Sequence, residues 1–198
     1  MRIEKPTFEE LMSIDIGTHF AKYQYHSDSG NEFIDQQARD NGPQISAGIE
    51  HYRLLAWLSK KFNNTTLVEI GSQTGLGLVS MAFNPSNKVI SYDLVDHNPK
   101  HHTPVNCERR ICDYNFTHYD VIEKSQFVFY DGRHHGDQEK VFLDSLVSMN
   151  WKGILLLDDI HLNGNMEAFW KDITLPKEDW TDVGHGFGGA GTGVVFFE

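Results

Sequence analysis

Three carboxylates at the ends of two apolar runs are the residues of this 198-residue sequence best placed to do chemistry. Asp131 follows Gln126-Phe127-Val128-Phe129-Tyr130, and Asp158 and Asp159 follow Gly153-Ile154-Leu155-Leu156-Leu157. If both runs are buried parallel strands, their acidic ends emerge at one sheet edge, where like charges raise one another's pKa unless a cation sits between them. A hard divalent ion such as magnesium suits Asp131, Asp158 and Asp159, because it takes oxygen ligands and leaves positions open for a substrate. For Asp158 or Asp159 taken singly, capping of the following helix is an equal reading. Upstream, Leu67-Val68-Glu69-Ile70-Gly71-Ser72-Gln73-Thr74-Gly75-Leu76-Gly77 reads as a buried strand, a glycine turn and the start of a helix. Gly71 and Gly75 allow a sharp turn and a close approach of backbone to ligand. About twenty residues later Asp93 ends the run Lys88-Val89-Ile90-Ser91-Tyr92, where a carboxylate accepts from ribose hydroxyls. Together these features describe a nucleoside-binding half-sheet.

The elements that must position these groups alternate along the chain. Residues 1–43 are expected to form an N-terminal extension, serving as a cover, a lid or an oligomer contact, with one helix from Thr7 to Leu11. A helix over 44–62 follows from the spacing of Ile45, Ile49, Tyr52, Leu54, Leu55, Trp57 and Leu58. Arg110 to Asp113 ends a third strand, and Asp113 either faces the crevice or caps a helix over Tyr114–Lys124. Helices are predicted over Asp137–Met149 and Met166–Ile173, and strands over Trp180–Val183 and Gly193–Phe197, separated by the glycine-rich loop Gly184–Gly191. The result is one α/β domain over 44–198, with a mostly parallel sheet, an antiparallel last strand and helices on both faces.

Composition narrows the partners. The net charge of -11 argues against nonspecific binding to nucleic acid or to an anionic membrane, and favours a small molecule. No apolar run approaches the roughly 20 residues of a membrane span, and Met1 to Pro6 lacks the apolar core of a signal peptide, so a cytoplasmic location is expected. Cys107 and Cys112 fall on opposite faces of a strand, which makes a disulfide between them unfavourable. Exposed aromatics in 1–43 would suit a homodimer.

The segment Val68-Glu69-Ile70-Gly71-Ser72 with Thr74-Gly75 resembles the first motif of the class I S-adenosylmethionine methyltransferases. The block Asp131-Gly132-Arg133-His134, Asp144, Trp151-Lys152-Gly153 and Asp158-Asp159-Ile160-His161 resembles their O-methyltransferase group, which includes the macrolide-sugar enzymes and, more distantly, catechol O-methyltransferase. The resemblance covers about Gln44 to Phe197 and implies a Rossmann-like methyltransferase fold. It implies that Glu69, Gly71, Ser72, Gly75, Asp93 and Asp113 contact S-adenosylmethionine, and that Asp131, Asp158 and Asp159 hold a metal, with magnesium expected. His161 occupies a position where sugar methyltransferases of this kind can carry a catalytic base, with His134 and Asp131 as the other candidates. Asp159 stands where the catechol enzyme has Asn, which moves the match toward the sugar-modifying branch.

The expected function is transfer of the sulfonium methyl to a hydroxyl of a small molecule such as a sugar or natural product. Two alternatives stand beside it. Gly71, Gly75 and Gly77 also resemble the turn of short-chain dehydrogenases, although no Tyr is followed four residues later by the Lys which that family carries. A noncatalytic S-adenosylmethionine-binding protein would keep the crevice without the metal. Among the 11 histidines, His97, His101 and His102 read as solvated loop residues and His185 as part of the glycine loop, while His134, His135 and His161 flank the acidic strand ends.

Overall fold

A computed structural model of the chain describes residues 2–23, 46–73, 75–96, 103–114, 119–184 and 190–198. Helices α1 (Phe8–Met12) and α2 (Ile16–Ala21) precede α3 (Ser46–Ser59). Then follow β1 (Thr66–Ile70), α4 (Leu76–Met81), β2 (Lys88–Asp93), β3 (Cys107–Ile111), α5 (Tyr119–Lys124) and β4 (Ser125–Tyr130). The chain closes with α6 (Asp137–Ser148), β5 (Gly153–Asp158), α7 (Gly164–Asp172), β6 (Lys177–Asp179), α8 (Thr181–Gly184) and β7 (Thr192–Phe197).

The seven strands lie in the order β3-β2-β1-β4-β5-β7-β6. Pairing is parallel from β3 through β5, and β7 is antiparallel to both β5 and β6, so it alone runs against the rest. The order reverses between β1 and β4, and a crevice opens beyond the carboxyl ends of strands at such a switch point.

Alternation along the strands divides the core in two. Leu67, Val89, Phe127, Phe129, Ile154, Leu156, Val194 and Phe196 face one way and join a cluster with Leu11, Ile16, Leu54, Leu58, Leu78 and Met81 from α1 to α4. Val68, Ile90, Tyr92, Val128, Tyr130, Leu155, Leu157 and Val195 face the other way, against Ile122, Phe142, Leu146, Met166 and Trp170. With both faces covered, the central strands are continuous apolar runs, as buried parallel strands require.

Several expectations need adjustment. The helix at the N-terminus is real, closed by a capping box between Thr7 and Glu10, and a second helix, α2, follows it at once because Asp15 caps the Thr18 N–H. Leu11, Ile14 and Ile16 are buried in the first cluster, so this part of the extension belongs to the core. The strand expected over Trp180–Val183 lies earlier, at Lys177–Asp179, and Trp180 to Val183 turn into the short helix α8. Trp180 is fully buried edge-on against Trp57, which draws the chain off the sheet at that point. Residues 24–45, His97, His101, His102 and His185 lie outside the described residues. Cys107 and Cys112 are both free thiols. No helix among the described residues is long and apolar enough to cross a membrane.

Candidate functional site

Strand register builds the site. Ile70 pairs with Tyr92 on one side and Tyr130 on the other, and Tyr130 pairs with Leu157. One step further, the next row across the four strands is Asp93, Gly71, Asp131 and Asp158. In-register neighbours of parallel strands project to the same face, so Asp131 and Asp158 share the face that carries α3 and α4, together with Glu69. Asp159, one residue on, has the opposite sense and a left-handed backbone with φ 57°.

The glycine in this row is required by contact. A Cβ at Gly71 would lie 1.7 Å from the Asp131 carbonyl oxygen, and its φ is +90°. The turn is pinned on both sides, because Gly71 N–H donates to the Tyr92 carbonyl at 2.8 Å and Asp131 N–H donates to the Ile70 carbonyl at 2.8 Å. Next to it opens a crevice of about 530 Å³, lined among others by Gly71, Gln73, Asp93, Asp113, Tyr114, Asp131, Arg133, His134 and Gln138. That volume suits a small organic ligand. Asp93 stands at its side, with Oδ2 accepting from Gln73 N–H at 2.6 Å and Oδ1 from Val95 N–H at 3.0 Å.

Of the residues expected at a cofactor, Gly71, Asp93 and Asp113 therefore line the crevice. Glu69, Ser72 and Gly75 are buried and do not line it. Glu69 is buried under the first turn of α4, where its Oε1 lies 2.0 Å from the place a Gly77 Cβ would take, and its Oε2 accepts from Ser91 Oγ at 2.5 Å. Ser72 Oγ is buried without a hydrogen-bond partner among the described residues. Gly75 is left-handed, with φ 89°, and opens α4. Thr74 is outside the described residues.

Burial pushes the Glu69 carboxyl up from its ordinary 4.5 to about 8, with Ser91 opposing and Asp131 adding to the rise. The folded chain thus keeps a proton that the unfolded chain has released above about pH 4.5. The stability this group contributes is fully present below that pH and is lost as pH rises through 8, at about 1.4 kcal/mol per pH unit. Urea unfolding of the ligand-free protein between pH 5 and 8 is expected to show this decline, and Glu69→Gln to make the profile shallower by that slope. Parallel profiles would mean that Glu69 is ionised in the folded state.

At the other side of Asp131 the acids gather. Ligand atoms of Asp131, His134 and Asp158 all lie within 4.8 Å of one another. His134 Nε2 is 3.1 Å from Asp131 Oδ1 and 3.5 Å from Asp159 Oδ2. Asp158 is raised well above an ordinary aspartate by burial and then by the charges of Asp131 and Asp159. Asp159 is raised by burial against the opposing pull of His134. Burial draws the His134 imidazole down, but its hydrogen bond to Asp131 and the charges of Asp131 and Asp159 outweigh that and leave it raised. Burial and the charges of Asp131, Asp158 and Glu69 likewise push up the Tyr52 hydroxyl on α3. Two carboxylates and one imidazole converging in this way fit a divalent cation, whose charge would offset the repulsion that raises them.

Helix capping does not account for the acidic pair. Helix α7 is capped by Asn163, whose side chain accepts from Asn165 and Met166 N–H. His134 lies two residues before Gly136, the N-cap of α6. His161 stands apart from the acid cluster's own contacts: its Nε2 is 2.8 Å from Asp179 Oδ2 on β6, and its backbone N–H donates to the Ala190 carbonyl. Sequence reading did not find Asp179 as its partner, nor Arg133 and Gln138 in the crevice wall. The partner comes from the far end of the sheet, and no local pattern announces it. Glu139, three residues after the N-cap Gly136, accepts its N–H as the acid of a capping box does, although glycine offers no side chain for the other half.

No protein-family model matches the chain, and no curated protein matches its sequence. Solved structures do match in shape. A Staphylococcus aureus protein assigned provisionally to the caffeoyl-CoA O-methyltransferases aligns at TM-score 0.61 and 13% identity, over 92% of this chain and 97% of that one. The SAH-bound methyltransferase PaMTH1 of Podospora anserina aligns at 0.57 and 9%, over 100% of both chains. The O-methyltransferase TomG of Streptomyces achromogenes, in complex with SAM and involved in tomaymycin synthesis, aligns at 0.51 and 15%, over 96% and 99%. The chain shares its fold with these methyltransferases.

Proposed function

We propose that this protein transfers a methyl group from S-adenosylmethionine to a hydroxyl of a small molecule, assisted by a divalent cation. The observation that carries the reading is the double membership of Asp131 and His134. They line the crevice with Gly71 and Asp93, and they belong to the cluster that Asp158 completes. A donor in the crevice and an acceptor at the cluster would therefore meet across these two residues.

In this reading S-adenosylmethionine would supply the sulfonium methyl, and a cation held by the acid cluster would supply Lewis acidity toward the acceptor hydroxyl. The chain's own residues provide alignment, which in well-oriented systems is worth up to about 7–11 kcal/mol. Asp93 would accept from the ribose hydroxyls, Gly71 would let the methionine portion approach the backbone, and Asp113 would face the adenine. Asp131, His134 and Asp158 would hold the cation. His161, two residues beyond Asp159, would take the acceptor's proton at Nδ1: its Nε2 is 2.8 Å from Asp179 Oδ2, a contact that favours the Nε2–H tautomer and leaves a lone pair on the other nitrogen. His161→Ala is expected to lower kcat about 10²-fold with the melting temperature unchanged. Unchanged turnover in a folded variant would remove His161 as the base.

The test is calorimetric titration of metal-stripped protein with S-adenosylhomocysteine, with and without a divalent cation, followed by methyl transfer to hydroxylated acceptors. Micromolar binding and transfer that stops in EDTA are expected. Absence of S-adenosylhomocysteine binding in both conditions, with NADH binding instead, would overturn the reading.

A further inference from the structure

We propose that His134, rather than Asp159, is the third protein ligand of the cation, and that its imidazole shifts the site's preference from magnesium toward first-row transition metals. The inference rests on the metal-assisted reading above and names the class of ion at that same site.

Geometry singles out His134. Its Nε2 lies 3.1 Å from Asp131 Oδ1. Two ligands at right angles around an ion with bonds of about 2.1 Å stand about 3.0 Å apart. Strand alternation carries Asp131 and Asp158 to one face and sends Asp159 the other way. Asp159 returns only as far as 3.5 Å from the His134 ring. The three atoms that close into one set are those of Asp131, His134 and Asp158.

The backbone at His134 is built to aim that ring. Its φ of 54° lies in the left-handed region, which few residues other than glycine adopt and which histidine enters more readily than most. Both of its peptide groups are held: its N–H donates to Glu139 Oε1 at 3.0 Å, and its carbonyl accepts from Asn163 Nδ2 at 2.8 Å. Glu139 is itself buried and accepts from Gly136 N–H at 2.8 Å, while Asn163 caps α7. Residues of two helices thus fix the backbone from which the ring projects.

The ligand type then decides the metal. Carboxylate and water oxygens suit magnesium, whereas imidazole nitrogen suits zinc, iron and nickel, and affinity for a mixed nitrogen and oxygen site rises along the series from manganese to copper. A site with one imidazole and two carboxylates is expected to bind Co²⁺ at least tenfold more tightly than Mg²⁺, with Mn²⁺ between them.

The experiment titrates metal-stripped, full-length protein with Mg²⁺, Mn²⁺ and Co²⁺ by calorimetry and records nitrogen hyperfine coupling in the pulsed EPR of bound Mn²⁺. His134→Gly accepts the left-handed backbone and serves as the folded variant; His134→Ala is its companion. Both are expected to lose the nitrogen coupling and at least tenfold of Co²⁺ affinity, while Mg²⁺ affinity changes by only a few-fold. Asp159→Asn is expected to retain the coupling. A folded His134→Gly that keeps Co²⁺ affinity would overturn the proposal, as would loss of Co²⁺ in Asp159→Asn as complete as in Asp131→Asn. S-adenosylhomocysteine titrated into the same samples separates the two claims. Its binding without any metal binding defeats this inference alone, whereas His134-dependent metal binding without it upholds the ion assignment and defeats the methyl-transfer reading.

Discussion

Asp158→Asn is expected to lower kcat/KM about 10³-fold, a loss of ~4 kcal/mol in transition-state stabilisation. It is also expected to make the metal-free protein more stable. Asp158 follows the last residue of β5 that pairs with Tyr130, so its carboxylate stands in the row of Asp131, and both burial and that neighbour raise it. Asparagine keeps the size and removes the charge. With a cation present the charge holds the ion; without one it repels Asp131 and Asp159. The variant should therefore gain on the order of 1 kcal/mol at pH 8 in EDTA and show no further gain when metal is added. Activity is read by methyl transfer to a surrogate hydroxyl acceptor, and stability by urea unfolding with and without EDTA. A variant that keeps full activity, or is less stable in EDTA, would show that Asp158 has a purely structural role.

Gly71→Ala is expected to be the most destabilising single-methyl change in the site. The added carbon would meet the Asp131 carbonyl oxygen at 1.7 Å, and the residue would have to hold φ near +90°. Left-handed strain costs about 1–3 kcal/mol, and forcing an extra methyl into packed structure costs a similar amount. Relief by movement is blocked, because Gly71 N–H and Asp131 N–H are both tied into the neighbouring strands. A loss of about 2–6 kcal/mol should lower the melting temperature by about 4–24 °C. S-adenosylhomocysteine binding should disappear even at temperatures where the variant stays folded, since the β1 turn and the β4 end bound the crevice together. Binding at wild-type affinity in a folded Gly71→Ala would show that the ligand does not use this turn.

The elements were legible wherever the residue pattern was strong. The apolar runs ending at Tyr130 and Leu157 could only be buried strands, and the spacing from Asp137 to Ser148 could only be one helix face. The glycine at 71 and the acid at 93 announced the crevice, because sharp turns and strand-end carboxylates are local properties. Trp180 to Val183 misled for the opposite reason. Their β-favouring side chains are the same in a strand or a turn, and what decides between them is burial of Trp180 against Trp57, more than a hundred residues away along the chain.

The sequence by itself determined that acids would stand at the ends of two strands beside a glycine turn, since hydrophobic runs and their breaks are written locally. Only the tertiary structure decided which acids face one another. Pairing of Tyr130 with Leu157 sets Asp131 against Asp158 in one row, and a slip of one residue would have set it against Asp159 instead. Register also brings Asp179 to His161 across β7. Packing likewise lets Glu139 and Asn163 hold both peptide groups of His134.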